Sequence, residues 1–553
     1  MFGLMQDWPL LCQRVIEHGA REHGQRRVVS RRGDGSLLET NYAEIHQRAQ
    51  QLSRRLLAEG VSPGDRIGTV AYSTSSHMEC WYGIAGIGAV YHPINPRLFS
   101  EQIVFIVNDA KDRILFIDPA FIGLLEGLAG QLPTVERYVI LADDKELPKT
   151  TLRNAVAYEA WINEGAGAAQ GAGGDTTPWK DFDENTAASL AYTSGTTGNP
   201  KGVLLSHRSI VLMSLTGGSP DMYGFSARDR VLQIVPMCHA NGWTWPFSGP
   251  MSGASLIFPG GALDAASLAG LLVSERITLT GGVPTVFQAV LPYLEKAGTK
   301  LTHLKRVYVG GSPCPRPTID AFAERHGAEV RSSYGMTEMG PLGSICTLSP
   351  ETDDLQGDEM IALRQSQGRP PFMIEYRTQN DEGQTQPRDG ASPGHLQTRG
   401  PCIISAYYGK PKNSALDVDG FLDTGDIAVI APTGFVRLTD RAKDLVKSGG
   451  EWISSIDLEN HVMTHPDVLE AAVIGATHPK WDERPLLIIV AKPGRTPDKA
   501  SIDAHLQSRI AKWWMPDDVL FVAELPHTAT GKLNKLTLRK QFQDHLIKQG
   551  ASA

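Results

Sequence analysis

The amino-acid sequence predicts an α/β protein whose large N-terminal domain of helix-covered β-sheets is followed by a small C-terminal α+β domain. A chain of 553 residues is longer than one hydrophobic core usually organises. Helical and strand-like spacings alternate along most of it, which is the pattern of sheets covered by helices. After Leu438 a short charged segment precedes a second set of short elements. We therefore predict two domains, residues 1–440 and 441–553.

The predicted elements follow the chain in order. Residues 42–60 and 77–88 have helical spacing, and residues 66–72 and 113–118 are predicted to be buried strands. After a strand at 187–191, further strand and helix units are predicted at 230–237, 254–259, 265–277, 278–282, 284–296, 304–310, 317–325 and 329–334. In the second domain we predict helices at 455–463 and 502–513 and strands at 470–474, 486–491 and 519–522. Residues 165–177 are rich in glycine and alanine and are predicted to form a linker.

Composition excludes several classes of function. The formal net charge is −8 and there is no long basic run, so neither nucleic acid nor an anionic membrane surface is expected as the main partner. The six cysteines include no C-x-x-C pair, which indicates reduced thiols rather than a disulfide or zinc framework. Residues 1–11 lack the pattern of a signal peptide, and the apolar runs are shorter than the roughly 18 residues that span a bilayer. We expect a cytoplasmic protein without a membrane span, for which a homodimer is a possible assembly.

The segment at residues 192–202, YTSGTTGNPKG, has the composition of a loop that binds a polyphosphate. Its glycines let backbone N–H groups turn inward, its hydroxyls add donors, and its lysine adds a positive charge. The candidate ligand residues are Thr193, Ser194, Gly195, Thr196, Thr197, Gly198 and Lys201. The segment is not a Walker A loop, because two residues separate the last glycine of the loop from the lysine. A Gly/Thr turn without a ligand is the alternative, and the length of the pattern disfavours it.

Four shorter segments carry residue types suited to a bound nucleotide. They are residues 332–338 (SSYGMTE), 420–426 (GFLDTGD), 440–454 (DRAKDLVKSGGEWIS) and 525–535 (LPHTATGKLNK). The Tyr334 ring can stack on a purine, Thr337 can contact a phosphate, and Glu338 is a hard oxygen ligand suited to Mg²⁺. Asp426 offers two carboxylate oxygens to the two hydroxyls of a ribose. Each segment alone is also compatible with an ordinary turn or a solvated charge cluster.

Three predicted strands end in unusual turns. These are residues 237–243 (MCHANGW), 281–284 (GGVP) and 310–313 (GGSP). Ligands of open α/β sheets lie beyond the carboxyl ends of the strands, and paired glycines there allow a ligand to approach the backbone closely. A Gly-Gly pair is about as often a simple turn.

Taken together, the five motif segments resemble, in order, those of the adenylate-forming superfamily, which contains acyl-CoA synthetases, adenylation domains and luciferases. Residues 95–98 and 451–454, together with His239 and Trp243, look like the fatty acyl-CoA ligase branch, near medium-chain and methylmercaptopropionyl-CoA ligases. The resemblance implies that the small domain is mobile about Lys443 and that ATP, Mg²⁺ and coenzyme A are used.

The resemblance also assigns residues to roles. It makes Lys532, Lys201, Glu338 and Thr337 catalytic, and Thr193 and Glu338 the Mg²⁺ ligands. Contacts to the nucleotide or to CoA are implied for Thr193, Ser194, Gly195, Thr196, Thr197, Gly198, Gly311, Ser312, Ser333, Tyr334, Gly335, Met336, Thr337, Asp426, Arg441, Lys443, Lys447, Gly449, Gly450, Glu451 and Trp452. The acyl pocket is implied to contain His239, Ala240, Trp243, Gly281, Gly282, Val283 and Gly310.

The implied function is an ATP-dependent, AMP-forming acid:CoA ligase. None of the implied pocket residues is positively charged, so a monocarboxylic acid with a short or medium-chain fatty, thioether or arylalkyl tail is expected. Cys238 and the Pro313–Cys314 pair depart from the residues usual in this branch, which leaves the preferred acid open. The alternatives are an acyl-adenylate enzyme that serves a carrier protein, a luciferase-like oxygenase, and a nucleotide-binding relative without catalysis.

Overall fold

The fold is taken from a computed structural model that describes residues 1, 3–143, 145, 147–164, 177–193, 199–449, 451–528 and 533–550. All but the last residue of the predicted linker at 165–177 lie outside these ranges. No helix in the described ranges is long and apolar enough to cross a membrane. All six cysteines lie within the described ranges, where none forms a disulfide.

The strands, in chain order, are β1 (Arg27–Arg31), β2 (Leu37–Asn41), β3 (Arg66–Val70), β4 (Val90–Pro93), β5 (Ile114–Ile117), β6 (Arg137–Ile140), β7 (Ala155–Ala157), β8 (Ala187–Thr193), β9 (Lys201–Ser206), β10 (Arg230–Gln233), β11 (Ser255–Phe258), β12 (Leu279–Gly282), β13 (Arg306–Gly310), β14 (Glu329–Tyr334), β15 (Ser344–Ile345), β16 (Glu375–Gln379), β17 (Gly394–Arg399), β18 (Leu422–Ile430), β19 (Val436–Arg441), β20 (Val446–Ser448), β21 (Glu451–Ile453), β22 (Val468–His478), β23 (Asp482–Ala491) and β24 (Asp518–Phe521).

The helices, in chain order, are α1 (Gln13–His23), α2 (Tyr42–Ala58), α3 (Ser75–Ala85), α4 (Ser100–Ala110), α5 (Ile122–Leu128), α6 (Tyr158–Asn163), α7 (His207–Gly217), α8 (Ala240–Trp243), α9 (Trp245–Ser252), α10 (Ala265–Ser274), α11 (Pro284–Lys296), α12 (Arg316–Ala321), α13 (Gly357–Gln365), α14 (Ser455–Val462), α15 (Lys499–Gln507), α16 (Lys535–Phe542) and α17 (His545–Gly550).

The strands form four sheets. A seven-stranded sheet has the order β7-β6-β5-β3-β4-β8-β9, and an eight-stranded sheet has the order β15-β14-β13-β12-β10-β11-β1-β2. Both are parallel in their centres and end in antiparallel pairs, such as β8–β9 and β14–β15. A four-stranded sheet follows with the order β16-β17-β18-β19, and a five-stranded sheet holds β21-β20-β23-β22, with β24 beside β23.

The largest hydrophobic core lies between the two large sheets and includes the fully buried rings of Tyr42, Trp81, Tyr91 and Phe247. Separate cores cover the outer faces of the same sheets under α10 to α12 and under α4 and α5. Because both faces of these sheets are buried, their central strands are apolar throughout, as in the Ile-Leu-Phe-Ile sequence of β5. The predicted fold class is confirmed.

Some elements differ from the prediction. A strand that was not predicted, β9, precedes α7 and pairs with β8 up to the Thr193–Lys201 position. The predicted helix at 502–513 is wrong beyond residue 507, because α15 ends there and residues 512–514 form a short 3₁₀ turn. In this turned segment Ile510 and Trp514 still pack on the core of the five-stranded sheet, which explains the apolar spacing that suggested a longer helix.

Candidate active site

A lysine, a tyrosine and a glutamate meet beside the polyphosphate-type loop. Lys201 opens β9, and its Nζ lies 4.8 Å from the ring centroid of Tyr407. The Tyr407 hydroxyl donates a hydrogen bond to Glu338 Oε1 over 3.0 Å. Glu338 follows β14 in a 3₁₀ turn, Thr337–Met339, and is only 5% exposed. Burial, followed by the neighbouring charge of Glu338, raises the pKa of Tyr407, so this tyrosine stays neutral and donates.

A second cluster joins the ends of two other strands. The Tyr334 hydroxyl, at the end of β14, donates to Asp426 Oδ2 over 2.6 Å. Asp426 lies on β18, is 8% exposed, and has its Oδ1 3.6 Å from Nε of Arg441 on β19. Burial, and then the charge of Asp426, raises the pKa of Tyr334. An aromatic ring, a carboxylate and a guanidinium are thus grouped as a nucleoside would require.

The segment between β10 and α9 has a left-handed backbone. Ala240, Asn241, Gly242, Trp243 and Thr244 all have positive φ, between 36° and 65°. Four of these residues are not glycine, so the conformation must be held by its surroundings. Asn241 Oδ1 accepts from Trp81 Nε1 and from Ser189 Oγ, each over 3.2 Å, and Gly242 O accepts from Gln233 Nε2 over 3.1 Å.

This left-handed turn sets two indole rings against the eight-stranded sheet. A Cβ atom at Gly310 would lie 3.0 Å from the Trp243 ring, and one at Gly281 would lie 2.7 Å from the Trp245 ring. Glycine at both positions therefore leaves room for the indoles. Trp245 is fully buried and packs edge-on against Tyr223 and Phe225. Gly282 is the last residue of β12, and Val283 is the N-cap of α11, which starts at Pro284.

A crevice lies between the two large sheets, at the carboxyl ends of β3, β4, β10 and β11. It is lined by Tyr72, Asn95, Arg97, Cys238 and His239, among other residues. This is the position at which open α/β sheets bind ligands. No chemical role was predicted for residues 95–97, which line this crevice together with His239.

The remaining predicted nucleotide residues of the large domain lie around β13 and β14. Gly311 has a φ of 84°, and Ser312 follows it. Ser333 Oγ donates to Val309 O over 3.2 Å, and Gly335, Met336 and Thr337 continue from Tyr334. All of them are adjacent in sequence to Tyr334 or to the Gly310 strand end.

The residues predicted for the small domain occupy a different environment. Lys443 is largely exposed, and the protein around the rest of its side chain, followed by the charge of Arg441, lowers its pKa. Lys447 and Trp452 pair across the β20–β21 hairpin, beside Glu451. Lys447 N donates to Glu483 Oε2 over 3.0 Å, and Gly449 N donates to Trp481 O over 2.8 Å.

Residues 16–408 of this chain match the family described as AMP-binding enzyme, and residues 457–532 match its C-terminal domain. The chain belongs to the AMP-binding enzyme family. The first matched range contains Lys201, Tyr334 and Glu338, which were predicted from the sequence to bind a nucleotide.

Relatives of this AMP-binding enzyme cover its whole length. The chain is 43% identical over 552 residues to the medium-chain-fatty-acid–CoA ligase of Ectopseudomonas oleovorans, with 100% of each chain covered. It is 44% identical to the 3-methylmercaptopropionyl-CoA ligase of Ruegeria pomeroyi, covering 99% of this chain and 100% of the relative. The crystal structure of ATP-bound MatB from Rhodopseudomonas palustris is similar with a TM-score of 0.77 at 26% identity, covering 96% of this chain and 99% of MatB.

Several predicted residues of this AMP-binding enzyme lie outside the described residues. They are Ser194, Gly195, Thr196, Thr197, Gly198, Gly450 and Lys532. The sequence analysis also missed functional candidates that the described residues reveal, namely Tyr407, Arg97 and Trp245. Tyr407 lies in a run with Tyr408 just before the Gly-rich 420–426 motif, and these paired aromatic residues were the only local signal.

Proposed function

We propose that the protein is an ATP-dependent, AMP-forming acid:CoA ligase, that is, an acyl-CoA synthetase. The observation that carries this proposal is the likeness, over the full length of both chains, to two acid:CoA ligases. The reaction first joins a carboxylate oxygen to the α-phosphorus of ATP and releases pyrophosphate. A thiol then attacks the acyl carbon of the mixed anhydride and AMP leaves.

The first step must bring two anions together, so positioning and charge neutralisation are its main requirements. Lys201 is assigned to the phosphates, Tyr334 to the adenine and Asp426 to the ribose. Their support is the pair of clusters around Tyr407 and Asp426. Lys532 is assigned to the bridge between carboxylate and α-phosphate, on the resemblance alone.

Magnesium is part of the proposal. The ion usually takes one or two protein carboxylates and completes its shell with water and phosphate oxygens. Glu338, a buried carboxylate beside the predicted phosphate loop, and the Thr193 hydroxyl at the end of β8 have the hard oxygens that suit it. When bound, the ion supplies positive charge to the phosphates.

The second step requires a different set of residues beside the acyl adenylate. We assign CoA to the β20–β21 hairpin, including Gly449, Glu451 and Trp452. The crevice beside Arg97 and His239 has a volume of about 40 Å³, which is too small for the pantetheine arm. One approach path cannot hold both the Lys532 segment and the thiol, so we propose that the small domain turns between the steps.

The hinge is proposed at Lys443, with the domain boundary at residues 440–441. The four-stranded sheet ends with β19 at Arg441, and the five-stranded sheet begins with β20 at Val446. The intervening residues therefore belong to neither sheet. Arg441 and Lys447, on the two sides of this segment, are assigned to the nucleotide in alternate orientations.

The proposed acid has one carboxylate and an apolar tail of limited length. The rings of Trp243 and Trp245 lie against Gly310 and Gly281, and Trp245 is backed by Tyr223 and Phe225. A second charge on the tail would be buried among these rings without a partner, which is costly. Fatty, thioether and arylalkyl acids of short or medium length fit this boundary.

The test is ATP–pyrophosphate exchange followed by AMP release, with CoA, over short, medium and branched fatty acids, thioether acids and aryl acids. We expect exchange with several monocarboxylates and CoA-dependent thioester formation with the same acids. Exchange without transfer to CoA would favour an acyl-adenylate enzyme that serves a carrier protein. Nucleotide binding without any exchange would overturn the proposal in favour of a non-catalytic protein.

Two further predictions accompany this function, a cytoplasmic location and a homodimer. The six unpaired cysteines suit a reducing compartment. Sedimentation of the purified protein would test the assembly.

A further inference from the structure

The start of α16 carries a buried lysine that the proposed chemistry does not use. Lys535 is the first residue of α16, three positions after Lys532, and its side chain is only 10% exposed. A buried ammonium group is retained only when it is paired, so its partners indicate what it does.

The Lys535 ammonium joins α16 to α14. Its Nζ lies 2.7 Å from Glu459 Oε1 and donates to Ser455 Oγ over 2.5 Å. Glu459 is fixed in turn, because its Oε1 also accepts from Val473 N over 2.7 Å. Burial opposes the charge of Lys535, but the carboxylates of Glu459, Asp440 and Asp444 together raise its pKa, so it stays protonated.

The same helix is tied to the proposed hinge. Arg539, one turn further along α16, has Nη1 3.1 Å from Oδ1 of Asp444, the residue that follows Lys443. Ser455, which accepts from Lys535, donates its backbone N–H to Asp440 Oδ2 over 2.6 Å. Lys535, through Ser455, and Arg539 are therefore linked to Asp440 and Asp444, on the two sides of the proposed hinge.

The chain entering and leaving the Lys532 segment is also held. His527 and Leu533 form an antiparallel bridge, and Asn534 N donates to Pro526 O over 2.8 Å. Asn534 then caps α16 by accepting from Thr537 N. The described residues on both sides of the segment are therefore fixed relative to Lys535.

We propose that Lys535, supported by Arg539, is a positioning residue that fastens the base of the Lys532 segment to α14 and to the hinge. A turn about Lys443 then moves α14, α16 and the described residues on both sides of the Lys532 segment together. This inference rests on the proposed function, in which Lys532 serves adenylation only. It follows that loss of the Lys535 contacts weakens adenylation selectively, because thioester formation does not need Lys532.

The test measures the two half-reactions of Lys535→Met in the full-length protein. Adenylation is followed by ATP–pyrophosphate exchange, and thioester formation by mixing preformed acyl-AMP with CoA. We expect exchange to fall by about a hundredfold, the size of loss that follows a misplacement of about 1 Å. Thioester formation should change little, and Lys535→Arg should restore much of the exchange by keeping the charge.

Lys499→Met is the matched control, since it removes an ion pair to Asp503 on α15 of the same domain. It should leave both half-reactions unchanged. If Lys535→Met does not fold, Ser455→Ala and Arg539→Met each remove one link while leaving the Lys535–Glu459 pair, and each should lower exchange alone. Equal loss in both half-reactions, or no loss in a folded variant, overturns the inference. Absence of exchange in the unaltered protein with every acid overturns the proposed function itself.

Discussion

The strand ends of the large domain around Glu338 and Asp426 and the small domain beyond Arg441 hold their charged groups in different ways. In the large domain, Glu338 and Asp426 are buried and already bonded to tyrosine hydroxyls. Around the hinge, the side chains of Arg441, Lys443 and Lys447 are exposed. The difference indicates that anionic and aromatic groups form a fixed platform, whereas the cations beside it belong to the part that is proposed to move.

Among the residues of the platform, Glu338 should show the largest loss of activity when it is substituted. Glu338→Gln keeps an acceptor for Tyr407 but removes the negative charge beside the predicted phosphate loop. We expect ATP–pyrophosphate exchange to fall by about a hundredfold to a thousandfold, as when one electrostatic contact to a transition state is removed. The matched control is Glu351→Gln, at an exposed glutamate. Unchanged exchange in Glu338→Gln would remove this residue from the proposed site.

A substitution that stiffens the hinge should slow one half-reaction and leave the other unchanged. Lys443→Pro fixes φ near −65° and limits the turn of the small domain. We expect one half-reaction to be retained and the other to fall by about a hundredfold, because its groups no longer reach the reacting atoms. Lys443→Ala, which keeps the backbone torsions free, should retain both. Normal rates of both half-reactions in the proline variant would refute a hinge at this residue.

The Tyr334–Asp426 pair should affect nucleotide affinity rather than chemistry. Asp426→Asn removes a charged hydrogen-bond acceptor, which is worth about 1.5–3 kcal/mol, or roughly tenfold to a hundredfold in the Kd for ATP. Tyr334→Phe keeps the ring and loses only the hydroxyl that orients Asp426, so its effect should be smaller. Calorimetric titration with ATP measures both. A larger loss for Tyr334→Phe than for Asp426→Asn would contradict the ribose assignment.

The proposed acyl pocket lies in the large domain, and we expect the size of the Trp245 side chain to limit the length of the acid that fits. Trp245→Leu opens space behind Gly281, and each additional methylene buried there contributes about 0.8 kcal/mol. We expect kcat/KM to shift toward longer acids by about fourfold for each methylene accommodated. Trp161→Leu is the control, since Trp161 is equally buried but packs on Phe116 under the seven-stranded sheet. Identical acid profiles in both variants would show that Trp245 does not bound the pocket.

Acid should weaken the large domain through its buried histidines. Burial lowers the pKa of His77 from 6.5 to about 4, so the unfolded chain takes up a proton before the folded chain does. The contribution of neutral His77 to the free energy of unfolding is therefore complete above pH 6.5. As the pH falls from 6.5 toward 4, this contribution decreases by about 1.4 kcal/mol per pH unit. His77→Gln, which retains a polar side chain, should show a shallower fall in Tm below pH 6.5. An unchanged slope would assign the acid sensitivity elsewhere.

Much of the platform could be predicted because its residues are clustered in sequence. Tyr334, Thr337 and Glu338 follow one strand, and the apolar runs of the central strands reveal sheets buried on both faces. Contacts between distant segments could not be predicted. Tyr407 reaches Glu338 across 69 positions, and Tyr334 reaches Asp426 across 92. Nor does any local preference indicate positive φ at Ala240, Trp243 and Thr244, because such residues avoid it unless tertiary contacts hold them.

The pairing of β8 with β9 also limits which insertions and deletions natural variants of this chain can carry. The two strands are hydrogen-bonded in register as far as Thr193 and Lys201, which fixes the number of residues between them. A single inserted or deleted residue that shifted this register would move every following side chain of β9 to the opposite face of its sheet. Natural variants should therefore keep the number of residues between Thr193 and Lys201 unchanged.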